Sequence, residues 1–568
     1  MTVVGETKAM AKKIKLPIGI ENFKDMIQKN YYYVDKTLMI KELLEKGGYV
    51  NVFTRPRRFG KTLSISMLQY FFENTKKESA HIFEGLDIVK MGEVYLAHQN
   101  KYPVIKLSLK AAEGAGFEKA FALFKTEIAK EFERHNYLLK SDELTIVQRQ
   151  LYESIIDKSA EQESFQDSLK FLSECLEKYY NQKAIILIDE YDVPLEKAYF
   201  RGYYDEMIEF VRSLFGSALK TNDALEFAVI TGCLRVSKES IFTGVNNLNI
   251  VSILSDSFGE HFGFTEPEVE VMMADCDLEH KTDEMRDWYN GYLFGETVVY
   301  NPWSSIKYLY DVIYGKIYLP VPHWSNTSSN DIVRQLISVA DDEAKEEIEW
   351  LIQGKTIIKP IYEDIVYADI LKNMNSLWNF LYFTGYLRKV SKEQRGVHNY
   401  FELTIPNKEI QYIYERQISE WFDERVQETD MTSLYRAVLE QDIETFMDEI
   451  SELLAESISF MDSYENFYHG FLTGVLRGIK GYVAKSNRES GNGRGDIFLR
   501  PRSIRKPAII IEVKVADEAR YLEKECEDAL IQIVKKQYDA ELIREGFTQI
   551  IKYGIAFYRK DCVIKVLE

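Results

Sequence analysis

The sequence predicts an α/β protein with a parallel sheet flanked by helices, a mainly helical middle domain and a small C-terminal α/β domain. Between about Tyr49 and Gly232, short apolar runs alternate with longer segments of helical periodicity, which is the pattern of a parallel sheet. Helical patterns dominate from about 265 to 430, and the alternation returns near Tyr464. We therefore expect three domains, at residues 14–265, 266–430 and 431–568.

The composition excludes several classes of protein. The 568 residues are 46% hydrophobic and 28% charged, which excludes a disordered or collagen-like chain. The net charge is −19, so a nucleic-acid partner requires a local basic patch. The five scattered cysteines show no CxxC spacing, which argues against a disulfide framework or zinc site and favours a reducing cytoplasm. No segment approaches the roughly 20 apolar residues of a membrane span, so we expect a cytoplasmic protein.

The elements of the first region follow from local pattern. The strand YVNVFT precedes the helix LSISMLQYFF, and the strand VIKLSL precedes a helix from Phe117 to Phe132. The strands AIILID and EFAVIT come next. Apolar residues at helical spacing before AIILID predict a helix and a right-handed crossover onto a buried strand. These residues are Phe165, Leu169, Leu172, Leu176 and Tyr179.

The middle region contains one distinct pattern. An apolar helix from Leu377 ends at Gly385, two strands flank a polar turn at Gly396, and a long helix follows Pro406. Helix, hairpin, helix is the order of a winged helix, and a simple connector with a hairpin is the alternative. The C-terminal region reads as a helix through Leu476, a strand from Asp496, the strand AIIIEVKV, a helix from about Tyr521 to Ala540, and the strand YGIAFYR.

A candidate phosphate site follows the first strand. A strand, the tight loop RPRRFGKT and a helix N-terminus together provide N–H groups that bind anions. Lys61 would reach the β- and γ-phosphates, Gly60 would let the backbone close on them, and Thr62 would ligate magnesium. Arg55 stands where this motif normally has glycine, so the loop cannot rely on positive φ there.

The strand AIILIDEYD supplies the partner of this loop, and we expect it beside the first strand. Asp189 would hold magnesium and Glu190 would orient the water that attacks the γ-phosphate. Thr231 ends a further strand, where it would sense the γ-phosphate or simply end the strand. The alternative for the acidic pair is solvation of a strand end. Arg55, Arg57 and Arg58 would contact phosphate or pair with carboxylates, and Arg235 would serve the transition state or lie on the surface.

At these residues the sequence resembles the AAA-ATPase-like family, a branch of P-loop ATPases with the RPRRFGKT loop. The resemblance includes NYYYVDKTLMIKELLEKGGYVNVFTRPRRFGKTLSISML, TGCLRVSKESIFTGVNNL, WYNGYLFG, YNPWSS, HWSNTSSN and GYLRKV with the later IPNKEI, and it covers most of residues 14–415. It implies ATP binding with magnesium, and hydrolysis. The nucleotide-binding residues it implies are Arg57, Arg58, Phe59, Gly60, Lys61, Thr62, Asp189 and Thr231.

A second candidate site lies in GRGDIFLRPRSIRKPAIIIEVKVA. Glu512 and Lys514 are two residues apart and therefore leave the same face of a strand. An antiparallel turn around 501–507 would bring Asp496 beside Glu512 and form a site for magnesium and an activated water. A cross-strand ion-pair cluster on a solvated edge is the alternative. Basic residues are concentrated at 485–506, a local +5 that suits a phosphate backbone. They are Lys485, Arg488, Arg494, Arg500, Arg502, Arg505 and Lys506.

This region resembles the PD-(D/E)XK nuclease superfamily, which implies a restriction-endonuclease-like fold. The resemblance makes Asp496 and Glu512 ligands of Mg²⁺ or Mn²⁺ and Lys514 the catalytic lysine. It adds Glu465 as a further acidic ligand and Gln532 as a polar residue near the nucleic acid, although a solvated glutamine is an alternative. His469 would line the site or pack in its helix.

Three functions fit these patterns. The first is an ATP-coupled, metal-dependent nuclease that cuts nucleic acid, with DNA as the expected partner, in defence or mobile-element handling. Arg494, Arg500 and Arg502 would bind the nucleic acid. The second is a nucleotide-switched regulator or scaffold whose nuclease-like domain binds without cutting. The third is an ATPase acting on proteins. We also expect homo-oligomers.

Overall fold

The computed structural model describes most of the chain and divides it into two compact units. One unit comprises Met1–Thr327 and Ile358–Tyr412, and the other comprises Ser328–Ile357 and Ile413–Glu568. The three expected domain boundaries stay predictions. The described residues are 14–74, 79–112, 114–235, 241–242, 247–315, 319–324, 340–363, 374–396, 398–428, 430–455, 465–490 and 493–567.

The described helices are numbered in chain order. Those before residue 320 are α1 Phe23–Gln28, α2 Leu38–Lys46, α3 Lys61–Phe72, α4 Asp87–Lys90, α5 Glu93–Leu96, α6 Phe117–Arg134, α7 Ile146–Ile156, α8 Gln162–Gln166, α9 Ser168–Tyr180, α10 Val193–Arg201, α11 Tyr204–Leu219, α12 Glu266–Asp275, α13 Thr282–Tyr289 and α14 Pro302–Tyr314. Those after it are α15 Asp342–Ile352, α16 Met374–Phe383, α17 Lys408–Glu428, α18 Thr432–Glu440, α19 Ile443–Ala455, α20 Glu465–Leu476, α21 Leu522–Lys536 and α22 Ala540–Arg544. No described helix combines the length and apolar character that a bilayer crossing requires.

The first unit is built on a five-stranded sheet in which every neighbouring pair is parallel. All residues of its first and third strands are buried, as expected for a sheet covered on both faces. The predicted parallel sheet is confirmed. The strands are β1 Val50–Thr54, β2 Val104–Ser108, β3 Ala184–Asp189, β4 Leu225–Gly232 and β5 Leu248–Val251, in the order β2-β3-β4-β1-β5.

The expected neighbourhood of two strands is wrong. We expected the strand that ends at Asp189 to lie beside the strand before the phosphate loop, but β4 lies between β3 and β1. Sequence order does not fix the order of parallel strands, because any crossover long enough for a helix can skip a neighbour. The arrangement places Thr231, at the end of β4, between the loop and Asp189.

The expected helix, hairpin and helix in the middle region are confirmed as α16, a hairpin turning at Gly396 and α17. The hairpin consists of β9 Arg388–Arg395 and β10 His398–Thr404, and β8 Ile357–Pro360 extends its sheet in the order β8-β10-β9. A separate two-stranded hairpin is formed by β6 Tyr292–Phe294 and β7 Thr297–Val299.

The second unit contains a mixed five-stranded sheet. Its strands are β11 Tyr482–Ser490, β12 Gly493–Pro501, β13 Ala508–Val515, β14 Ile550–Tyr558 and β15 Asp561–Val566, in sequential order. Only β13 and β14 among these described strands run parallel, and the other neighbours are antiparallel. The sequence did not predict β11 or β15. The helix expected from Tyr521 to Ala540 ends earlier, at Lys536, because Gln537 adopts the left-handed conformation at its C-cap.

The two faces of β13 meet different helices. Ile511 and Val513 belong to the apolar cluster formed with α18–α20, whereas Ile510 packs with Ile533 of α21 on the other face. Since side chains alternate along a strand, Glu512 and Lys514 lie on the α21 face. Gly554 of β14 pairs with Glu512, and a Cβ there would lie 2.5 Å from the Cys526 carbonyl oxygen. The glycine therefore lets α21 approach the sheet closely.

We predict that Gly554→Ala lowers the free energy of unfolding by about 1–3 kcal/mol, because the added methyl overpacks α21 against β14. Guanidinium unfolding of the full chain, followed by circular dichroism, measures the change. Gly474→Ala in α20 is the matched control, since its added Cβ meets nothing within 4 Å. An unchanged or higher unfolding midpoint for Gly554→Ala would contradict the close packing.

Candidate functional sites

The phosphate loop joins β1 to α3 and contains two residues at positive φ. Gly60 has φ 83° as the N-cap of α3, and Arg58 has φ 69°. A Cβ at Gly60 would meet nothing within 4 Å, so glycine is favoured there by backbone conformation rather than by space. Because α3 begins at Lys61, the N–H groups of its first turn point toward the loop. Arg55 is not among the residues at positive φ, so this loop does not require glycine at that position.

Lys61 lies inside the loop and is only 5% exposed. Its ammonium group donates to the carbonyl oxygens of Arg55 and Pro56 at 2.9 and 2.8 Å, and lies 3.5 Å from the sulfur of Cys233. Burial raises the pKa of the Cys233 thiol to about 11, which keeps it neutral beside the lysine. The lysine is thus held by the loop at the start of α3.

The ends of β3 and β4 bring two predicted residues together. Thr231 donates its hydroxyl hydrogen to Asp189 Oδ1 at 2.5 Å. Asp189 is 1% exposed, and its second oxygen, Oδ2, is buried without a hydrogen-bond partner in the described part of the chain. A buried carboxylate oxygen of this kind fits a magnesium ion held by oxygen ligands.

Glu190 follows Asp189 at φ 56°, a strained conformation for a residue other than glycine. Burial, and then the neighbouring charge of Asp189, raise the pKa of its carboxyl. A strained backbone and a raised pKa at one position are typical of functional residues. Both features suit the predicted role of Glu190, a carboxyl group that accepts a hydrogen bond from the attacking water and so orients it.

The arginines of the loop are held by protein groups. Arg55 is fully buried, its guanidinium lies 4.9 Å from the Phe294 ring centre, and it donates to the carbonyl oxygens of Thr54 and Val251. Burial lowers its pKa to about 9. The expectation that Arg55 contacts phosphate or pairs with a carboxylate is wrong, because its side chain enters the core behind the loop.

Three other residues of this region also have protein partners. Arg57 makes a two-pronged ion pair with Glu196 at 2.8 and 2.9 Å, the carboxylate alternative considered above. Arg235 pairs with Glu363 at 2.7 Å. The Phe59 side chain is fully buried against Tyr292 and Phe294, so only the backbone of this residue is available to contact a nucleotide.

Two buried acids of this unit escaped the sequence prediction. Asp192 accepts hydrogen bonds from the N–H groups of Cys233 and Leu234 and so fixes the loop after β4, and burial raises its pKa. Glu409 is fully buried at the start of α17, and burial raises its pKa to about 7. The DEYD run was a usable signal for Asp192, and the IPNKEI motif was one for Glu409.

In the second unit, β12 and β13 pair antiparallel as predicted. The register pairs Ile497 with Ile511, so the next pair places Asp496 opposite Glu512. Asp496 Oδ2 accepts from the Val513 N–H at 2.9 Å, and Glu512 Oε2 accepts from the Asp496 N–H at 3.3 Å. Directly opposed residues have Cβ atoms about 4.5–5.5 Å apart. Two carboxylates at this separation fit the oxygen ligands that Mg²⁺ or Mn²⁺ requires.

Gln532 of α21 reaches the same carboxylate. Its amide donates to Glu512 Oε1 and, at 3.3 Å, to the hydroxyl of Tyr538. Glu512 is 2% exposed, so these bonds compensate part of its burial. Lys514 shares this face of β13 and is half-exposed. Tyr538 is a further residue of the site that sequence reasoning missed.

The helix α20 contributes a histidine that hydrogen-bonds to the backbone of β12 at this site. His469 Nε2 donates to the carbonyl oxygen of Asp496 at 2.8 Å, which anchors that strand. The side chain of Glu465, the expected additional ligand, lies outside the described residues, as does that of Arg494. Among the residues that are described, no group of three or more His, Cys, Asp or Glu side chains is arranged to hold a metal ion.

The basic residues of segment 485–506 differ in their surroundings, since one forms ion pairs within the fold and others are exposed to solvent. Arg500 pairs with Glu545 at 2.9 Å and Glu541 at 3.6 Å, and only 16% of its side chain is exposed. Arg502, Arg505 and Lys506 are exposed. The exposed group is therefore the available surface for a phosphate backbone, whereas Arg500 fastens β12 to α22.

These sites and folds define a P-loop-type α/β domain followed by a nuclease-type α/β domain. Residues 17–242 match the family described as "Predicted AAA-ATPase", and residues 463–566 match the PD-(D/E)XK nuclease superfamily. The chain therefore carries an AAA-ATPase-like domain and a C-terminal domain of the PD-(D/E)XK nuclease superfamily. Both resemblances inferred from the sequence are confirmed.

A relative of similar extent is known from a bacterium. It is described as "Uncharacterized protein in vnfD 5'region" from Azotobacter chroococcum mcd 1. It is 25% identical over 409 residues, which cover 71% of this chain and 69% of the relative. The similarity thus extends beyond either domain alone, since it is longer than both matched segments.

We predict that Glu409→Gln changes how stability depends on pH. The folded-state pKa of Glu409 is about 7, against 4.5 for the ordinary side chain, so the wild type loses stability as pH rises through this interval. The loss is on the order of 3 kcal/mol by pH 8 and is absent in the glutamine variant. Denaturant unfolding at pH 5, 6, 7 and 8 measures it, with the exposed Glu84→Gln as control. A difference between Glu409→Gln and wild type that does not vary with pH would refute the prediction.

Proposed function

We propose that this chain binds and hydrolyses ATP and couples that activity to metal-dependent cleavage of phosphodiester bonds, with DNA as the substrate. Cytoplasmic defence or mobile-element handling is the setting we favour. The observation that carries the nuclease half is the register of β12 and β13, which sets Asp496 opposite Glu512 with Lys514 on the same face.

The ATPase half of the proposal rests on the geometry around Asp189. The N-terminus of α3 and Lys61 would bind the β- and γ-phosphates, while Thr62 and Asp189 would hold Mg²⁺. Bound magnesium would neutralise phosphate charge. Glu190 would orient the attacking water, and Thr231 would report the γ-phosphate to Asp189 through their hydrogen bond. Arg57 and Arg58 stay predicted nucleotide-binding residues of the family resemblance, Arg57 as a contact and Arg58 through its place in the loop.

The nuclease half assigns a separate role to each group. Asp496 and Glu512 would hold Mg²⁺ or Mn²⁺, with Glu465 as an additional ligand, and the bound ion would supply Lewis-acid activation of a water. Lys514 would position that water or offset charge at the phosphorus. Gln532 keeps the Glu512 carboxylate oriented through its amide hydrogen bond.

One observation favours a second function, a nucleotide-switched regulator whose nuclease-like domain binds nucleic acid without cutting. Asp496 accepts a hydrogen bond from the Val513 N–H, and Glu512 accepts from the Asp496 N–H and from the Gln532 amide. These bonds stabilise both carboxylates without a cation. Such a site tolerates the absence of a metal better than an uncompensated pair of carboxylates would.

We predict that Asp496→Ala abolishes cleavage and leaves ATP turnover intact, because Asp496 belongs to the nuclease site alone. Lys61→Ala should lower ATP turnover by at least about 100-fold and change the dependence of cleavage on ATP. The full chain is incubated with single- and double-stranded DNA and RNA, with Mg²⁺ or Mn²⁺, with and without ATP. Exposed Asp517→Ala and Lys183→Ala are the matched controls.

The outcomes separate the two functions. Cleavage that persists in Asp496→Ala would identify a contaminating nuclease. ATP turnover without cleavage of any of the four polynucleotides would favour the regulator. No ATP turnover in the wild type would remove the ATPase half of the proposal.

We also predict that Arg502→Ala weakens binding to the polynucleotide and reduces the salt slope of log K by about one, because it removes one exposed phosphate contact. Filter binding or fluorescence anisotropy across a salt series measures the slope. Arg500→Ala is the informative comparison, since its ion pairs with Glu545 and Glu541 favour a loss of stability instead. An unchanged slope for Arg502→Ala would exclude this surface from the interface.

A further inference from the structure

Several conspicuous sequence motifs far from the phosphate loop gather around it. WYNGYLFG supplies Tyr292, YNPWSS supplies Trp303 and Ser304, HWSNTSSN supplies His323 and Trp324, and IPNKEI supplies Glu409. Within this group the Tyr292 ring packs on Phe59 of the loop at 4.9 Å between ring centres. None of these side chains has a part in the ATPase chemistry described above, so their proximity to the loop requires its own explanation.

Arg58 is the loop residue that these motifs hold. Its guanidinium lies over the Trp303 ring, 4.5 Å from the centre, and donates to the carbonyl oxygen of His323 at 3.2 Å. The same residue has φ 69°, which a side chain other than glycine adopts only when its surroundings enforce it. The side-chain contacts of Arg58 are thus positioned to maintain its backbone conformation.

Glu409 fastens both partners of Arg58. Its carboxylate accepts from the N–H of Trp324 at 2.9 Å and from the hydroxyl of Ser304 at 3.0 Å. Trp324 directly follows His323, and Ser304 directly follows Trp303. One buried carboxylate therefore joins the two segments between which the Arg58 guanidinium lies.

We propose that Arg58 and Glu409 are positioning residues for nucleotide binding: Glu409 fixes the segments of Trp303 and His323, and these hold Arg58 so that the phosphate loop keeps its left-handed turn. In this proposal Arg58 acts on the loop and does not ligate phosphate. The inference rests on the proposed binding of ATP at this loop.

Ionisation of Glu409 lowers the stability of the fold, because the charge is buried, but it strengthens the hydrogen bonds from Trp324 and Ser304, because a charged acceptor makes shorter and stronger bonds. Arg58 faces the carboxyl from the loop, Tyr289 faces it from α13, Tyr292 faces it from β6, and the His323 amide lies beside it. Arg58 is the cation among these groups. Nucleotide affinity is therefore expected to rise with pH between 6 and 8.

The test is a double-mutant cycle on the full chain with Arg58→Ala, Glu409→Gln and both together. Affinities for fluorescent methylanthraniloyl-ATP and methylanthraniloyl-ADP are measured from pH 6 to 8. Each single variant should weaken both nucleotides about tenfold, and the double variant should bind no more weakly than Arg58→Ala. The pH dependence should disappear in Glu409→Gln. Arg58→Lys should not restore affinity, since an ammonium group cannot reproduce the planar stack.

A matched cycle uses Arg395→Ala and Glu393→Gln, an exposed ion pair on the β9–β10 hairpin, and should leave affinity unchanged. If Glu409→Gln does not fold, Ser304→Ala removes one of the two bonds and takes its place in the cycle. Additive losses, or a loss in Arg58→Ala that is confined to the triphosphate, would overturn the proposal and make Arg58 a phosphate ligand.

The failure of this inference can be told from failure of the proposed function. If the wild type binds the fluorescent nucleotides and Lys61→Ala does not, ATP binding at the loop stands whatever the cycle shows. If the wild type binds neither nucleotide, both proposals fall.

Discussion

Asp189 and Glu512 are carboxylates in strands whose apolar residues are buried on both faces, and their desolvation constrains both units. Each is almost completely buried, at 1% and 2% exposure. A buried carboxylate is tolerated only with hydrogen-bond donors or a cation close by. In the first unit the neighbouring strand provides the Thr231 hydroxyl, and in the second the neighbouring strand and α21 provide the Asp496 N–H and the Gln532 amide. Each buried carboxylate therefore requires its neighbouring elements to place a hydrogen-bond donor beside it.

The two carboxylates are compensated to different degrees, and the difference bears on their chemistry. Glu512 accepts hydrogen bonds on both carboxylate oxygens, whereas Asp189 Oδ2 has no hydrogen-bond partner among the described residues. A buried oxygen that lacks a protein donor is the stronger attraction for a cation. Binding of a divalent ion would therefore change the electrostatics of the first site more than those of the second.

Sequence reasoning recovered what is local. The buried strands, the helix after the loop, the shared face of Glu512 and Lys514, and the antiparallel pairing that brings Asp496 to Glu512 all follow from residue spacing and turn composition. The pairing of β12 with β13 is predictable because the two strands are adjacent in the chain, so their register follows once the turn between them is placed.

What the sequence did not predict is set by contacts between distant segments. The position of β4 between β1 and β3 depends on how the connecting helices pack on the sheet. The apolar pattern of each strand is the same whether β3 or β4 lies beside β1. Glu409 lies in a helix that reads as polar, and its burial comes from segments about 85 and 105 residues earlier in the chain. The strand β11 ends in the polar run KSNRES, and β15 is short and contains two charged residues, Asp561 and Lys565, so the apolar signal of both strands is weak.

The phosphate loop shows how a sequence rich in arginine can replace one rich in glycine. A glycine-rich loop reaches unusual backbone angles because it lacks side chains, at the cost of conformational entropy. Here three arginines are each fastened to protein: Arg55 to the core, Arg57 to Glu196 and Arg58 to Trp303 and His323. These contacts help to hold the loop in its conformation, and Lys61 and the N-terminus of α3 are the groups that we propose to bind the phosphates. Conformational restriction by anchored side chains explains why the loop keeps a left-handed residue, Arg58, that is not glycine.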